Sequence, residues 1–73
     1  MLSDRAVAKE IVDLLLDFSQ KLERSVGAVK QALPEEEFLD YRKRVGIVLT
    51  DVLIEFLNPI FREHPELKPK GFD

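Results

Sequence analysis

Residues 31–38 read Gln31-Ala32-Leu33-Pro34-Glu35-Glu36-Glu37-Phe38, and the break at Leu33-Pro34 decides the fold. Proline pushes the residue before it out of the helical region, so a helix arriving from the amino side ends at Leu33. Proline at a first helical position followed by carboxylates suits a helix start, because the unpaired amides and the helix dipole favour negative charge there. One helix is expected to end where the next begins.

On the amino side of the break, apolar residues fall at Val7, Ile11, Leu15, Phe18, Leu22, Val26, Val29 and Leu33. Steps of three and four are the signature of a helical stripe. Lys9, Asp13, Asp17, Gln20, Arg24 and Gln31 take the opposite face, and Ser3 or Asp4 is placed to cap the first turn. Gly27 is a weak point, a place for fraying or a kink, but the stripe stays in phase beyond it. On the carboxyl side the stripe resumes at Phe38, Tyr41, Val45, Leu49, Val52, Phe56 and Ile60. Pro59 cannot donate to the preceding turn and clashes with the carbonyl of Glu55, so this helix should end or kink near Asn58. Asn58-Pro59 can also open a short third helical segment reaching Glu63. His64-Pro65 and Lys68-Pro69 then suggest an extended tail.

Folding the chain at Leu33-Pro34 pairs residues whose numbers add to 67. Val7 meets Ile60, Ile11 meets Phe56, Leu15 meets Val52, Phe18 meets Leu49, Leu22 meets Val45, Val26 meets Tyr41 and Val29 meets Phe38. Every pair is apolar, and the short connection favours antiparallel neighbours. Both stripes follow an eleven-residue period, closer to straight helices than to a heptad supercoil. The expected architecture is all-α: one domain over 1–73, with helices over about 4–33 and 35–58 and a tail over 64–73.

The apolar surface exceeds what two helices can hide from water by pairing. Val48, Leu53, Ile54, Leu57, Phe61 and Ile47 lie outside the stripe of the second helix, and Val12 and Leu16 outside that of the first. All gather at the open end of the hairpin, whereas the turn end is amphipathic in the ordinary way. A surplus of this kind marks an interface. Val12, Leu16, Val48, Leu53, Ile54, Leu57 and Phe61 are therefore the candidate partner-contacting residues. A two-fold pairing of hairpins into a four-helix bundle is the economical solution. The competing occupants are a different protein, or the tail docking through Leu67 and Phe72.

Composition narrows the function. At 73 residues with no cysteine and one histidine, disulfides, thiol chemistry and a structural zinc are not available as supports, and a partner subunit is the remaining one. The lack of cysteine fits a reducing cytoplasm, and the amino terminus does not read as a signal peptide. A net charge of -3 argues against general nucleic-acid binding, which needs a basic face. The most apolar stretch, 45–61, carries Asp51 and Glu55 and is too short to span a bilayer. His64 reads as a solvated tail residue, so its replacement should leave fold and assembly unchanged. Glu10, Asp13 and Asp17 on one helix and Asp51 and Glu55 on the other face away from the hairpin contact, so no carboxylate pair or metal site is expected. Within the basic run Arg42-Lys43-Arg44, Arg42 leans toward the apolar stripe and is the candidate for an interface ion pair. Phosphate-binding loops and nucleophile motifs are missing.

These features predict a non-catalytic interaction module, a homo-oligomeric helical bundle without cofactor that scaffolds or regulates another protein. A protein binding a small apolar ligand between subunits is the alternative, and an acidic, antitoxin-like regulator of a basic partner is a weaker one.

Overall fold

The computed structural model describes residues 1–71, and among them every regular element is helical. Helix α1 spans Arg5–Ala32, α2 spans Glu35–Val52, a π-helical turn follows at Leu53–Leu57, and α3 covers Asn58–Glu63. A 3₁₀ turn at Pro65–Leu67 completes the order.

Asp4 starts α1. Its backbone is extended and its side chain accepts a hydrogen bond from the Val7 N–H at 3.0 Å, satisfying one of the amides a helix start leaves unpaired. The helix then runs through Gly27 without interruption. Leu33, forced extended by the following proline, has φ −126° and ψ 161°, yet its N–H still reaches the Val29 carbonyl at 3.0 Å. Pro34 stands just ahead of α2 as its N-cap, and Glu35, Glu36 and Glu37 fill the first turn. The connection is thus two residues long and α2 returns antiparallel along α1. Near the turn, the Tyr41 hydroxyl lies 2.6 Å from Ser25 Oγ. Ser25 donates its own proton to the Leu22 carbonyl, so Tyr41 is the donor between them. These two residue numbers add to 66, within one of the register expected from the stripes.

Pro59 does not end the helical run. The turn before it widens, and the Asn58 N–H bonds to the carbonyl of Leu53, five residues back. The wider turn relieves the conflict between a proline ring and the carbonyl four residues earlier. It also inserts one extra residue. Inward-facing positions therefore step from Val52 to Leu57, five apart, and then to Ile60, Phe61 and His64. Leu57 is 3 % exposed and Phe56 42 % exposed, which corrects the expected pairing of Phe56 with Ile11. A matching rotation is seen on α1: Ala8 and Val12 are buried, whereas Val7 and Phe18 stay exposed.

The core sits at the open end. Ala8, Val12, Val52, Leu57, Ile60 and Phe61 form one buried cluster, with Leu2, Ile11, Leu15, Leu16, Leu53 and Leu67 packed against it. The chain is a single layer of helices measuring 45 × 20 × 16 Å. Its radius of gyration is 14.5 Å, against about 11 Å for a compact chain of this length.

Candidate interaction surface

Burial divides the seven residues expected at the partner surface into three groups. Val12, Leu57 and Phe61 are buried within the chain itself, and Leu16 and Leu53 are half-buried against the same cluster. Val48 and Ile54 are exposed. The apolar surplus of the open end is thus largely covered by the chain's own ends, and the expectation of a bare open end is corrected. The π-turn drives this, because the extra residue turns Leu57 inward and brings Phe61 with it.

What closes the open end is a clasp between the two ends of the chain. His64 is only 8 % exposed, and its Nε2 lies 2.8 Å from the Leu2 carbonyl. Nε2 must therefore carry the proton and donate. Nδ1 faces Glu66 Oε1 at 3.7 Å. Leu2 has φ 60°, the one non-glycine residue with positive φ among those described, a conformation disfavoured by about 1–2 kcal/mol when a Cβ is present. The His64 hydrogen bond and the seating of the Leu2 side chain against the core hold it there. Around them the Met1 ammonium bonds Glu63 at 2.8 Å and Arg5 lies 3.3 Å from Glu66. The hydrogen bond from that ammonium holds the Glu63 carboxyl below its ordinary value, against the opposing effect of burial and with help from the charges of the ammonium and His64. The reading of His64 as a solvated residue on an extended tail is therefore wrong. Residues 65–67 form a 3₁₀ turn, and Leu67 reaches the core. Of the two residues considered for tail docking, Phe72 lies outside the described residues.

Exposed apolar side chains remain on one flank of the hairpin. Leu14, 60 % exposed, and Phe18 line an open groove with Asp17, Lys21, Leu22, Ser25 and Tyr41. Val7 lies seven residues before Leu14, two helical turns away and on the same side. Across the groove Val48 follows Tyr41 by seven residues, and Phe56 sits one step back from inward-facing Leu57. Both fall on the same flank, and both are exposed. The opposite flank is more polar, its grooves lined by Leu16, Ser19, Gln20, Glu23, Arg42, Gly46 and Leu49 among others. Arg42 stands on that second rim, exposed and without an ion pair among the described residues. Ile47 and Ile54, both exposed, lie on the outer side of α2 and the π-turn.

Among the described residues, several charged side chains pair locally, each within its own helix. Asp13 pairs with Lys9 at 2.8 Å, Asp17 with Lys21 at 3.0 Å and Asp40 with Arg44 at 2.9 Å, all exposed contacts four residues apart on one helix. Such pairs contribute about 0.3–0.5 kcal/mol each. Among the described residues no three histidines or carboxylates gather in a way that could hold a metal ion. No helix there is long and apolar enough to cross a membrane.

Of the flank of Val7, Leu14, Phe18, Val48 and Phe56, sequence reasoning picks out Val48 alone, since Val7, Phe18 and Phe56 fall in the expected hairpin contact. One signal was present: Leu14-Leu15-Leu16 sweeps about 200° of helix surface at 100° per residue, so one of the three leucines must face away from α2. No family model, curated protein or solved structure matches this chain.

Proposed function

We propose that the chain works as a non-catalytic protein–protein interaction module, a homodimeric four-helix bundle built from two hairpins that scaffolds or regulates another protein. One observation carries the reading. The hairpin exposes 5474 Å², whereas a compact monomer of 8.4 kDa exposes about 4,600 Å². The difference, about 900 Å², is close to the roughly 800 Å² that each partner contributes to a standard stable interface. Five of the exposed large apolar side chains, Val7, Leu14, Phe18, Val48 and Phe56, share one flank, and an exposed apolar surface of this kind marks interaction sites.

Sedimentation equilibrium at micromolar concentration tests the dimer directly. A species of twice the 8.4 kDa chain mass is the expected result, with a thermal midpoint that rises with protein concentration. A well-folded monomer whose midpoint ignores concentration overturns the reading.

A further inference from the structure

We propose that the second copy seats on the flank formed by Val7, Leu14, Phe18, Val48 and Phe56, with the two-fold axis running along the hairpin so that both turns lie at the same end. This inference rests on the dimer reading and specifies its surface and symmetry. Two facts choose the occupant. The elongated chain exposes about 900 Å² more than a compact monomer of its mass, close to what each partner buries in a standard stable interface. The patch is also self-complementary, as a two-fold interface requires. Because the register pairs residues whose numbers add to about 67, Phe18 on α1 stands level with Val48 on α2. Rotation about an axis along the hairpin then lays the Phe18 side of one copy over the Val48 side of the other, each helix antiparallel to all its neighbours.

The axis follows from how the patch is distributed. Its exposed apolar residues occupy the open half, while the turn half carries Glu36, Glu37 and Asp40 around Tyr41. An axis across the middle of the hairpin would lay each α2 on its own copy and press Phe56 toward those carboxylates, stripping water from charge without a partner. Sliding the copies until only the open halves overlap would cover about half of the flank and leave the rest of the excess area exposed. The lengthwise axis sets the apolar residues of the two open halves against one another and keeps them away from the carboxylates of the turn halves.

The chain has no cysteine, so a single Gln31→Cys substitution at the exposed turn end accepts one spin label per copy. With helix axes about 10 Å apart, the lengthwise axis places the two labels within about 30 Å. A crosswise axis separates them by more than about 40 Å, a distance set by the 45 Å length of the hairpin. Alongside, Phe18→Glu and the milder Leu14→Gln should each weaken self-association by at least about 100-fold, about tenfold for each copy's lost contact, while Ile54→Lys leaves it intact. Label distances beyond 40 Å overturn the axis. Loss of the dimer in Ile54→Lys but not in Phe18→Glu or Leu14→Gln overturns the surface and leaves the dimer reading standing. A monomeric unsubstituted chain overturns both.

Discussion

Replacing His64 with alanine should destabilise the fold measurably. The ring is almost wholly buried and its Nε2 donates at 2.8 Å to the Leu2 carbonyl. An intramolecular hydrogen bond contributes about 0.5–1.5 kcal/mol net, and truncating a buried ring adds the loss of its packing. Leu2 is also held in the left-handed region at φ 60°. Without the ring that strain is relieved by release of residues 1–3, which withdraws the Leu2 side chain from the core cluster. The freed carbonyl can reach water, so the lower part of the range applies, and the expected loss is about 1–2 kcal/mol. Unfolding entropy is about 2.1 cal/mol/K per residue, so across 73 residues each kcal/mol moves the midpoint by about 6–7 °C. His64→Ala should therefore melt about 6–13 °C below the unsubstituted chain, followed by circular dichroism at one fixed protein concentration because self-association shifts midpoints. His64→Gln, whose side-chain amide can supply the same donor, should recover part of the loss. A His64→Ala midpoint within about 2 °C of the original, well below that range, would refute the clasp.

Other consequences follow from single contacts. Gly27 lies in mid-helix, exposed, with nothing within 4 Å of where a Cβ would stand. Gly27→Ala should accordingly raise stability by about 0.4–1 kcal/mol, and a decrease in urea titration would mean that the position is not free. Glu63 has its carboxyl held below the ordinary value of 4.5. Its contribution is present above that pH and fades as the pH falls through the lowered value. Thermal midpoints below about pH 4.5 should consequently drop more steeply in the unsubstituted chain than in Glu63→Gln, and parallel profiles would remove Glu63 from the clasp. The effect is expected to be small, since the carboxylate is solvent-screened.

Local chemistry made much of this protein legible. The steps of three and four on either side of Leu33-Pro34, the acid-rich start of α2 and the cap at Asp4 specify two antiparallel helices and their register to within a residue or two. Each of these is a near-neighbour effect, written in consecutive side chains. The rotational phase of each helix is not written that way. A periodic stripe fixes how often apolar residues return but not which of two adjacent apolar edges faces the partner. On α1 the choice went to Ala8 and Val12 over Val7. On the carboxyl side it turned on how the backbone accommodates Pro59, either by ending the helix or by widening a turn, and the π-turn moved Leu57 into the core and Phe56 out of it. The same shift explains why the candidate residues Val12, Leu57 and Phe61 are interior and why the exposed flank lies elsewhere. His64 shows the other limit: its partner is a carbonyl 62 residues away in sequence, a proximity created only when the two ends of the chain meet over the open end. Sequence alone determined helices, break and register because those depend on neighbours along the chain. Tertiary structure decided which faces are hidden, because burial depends on what arrives from the far end of it.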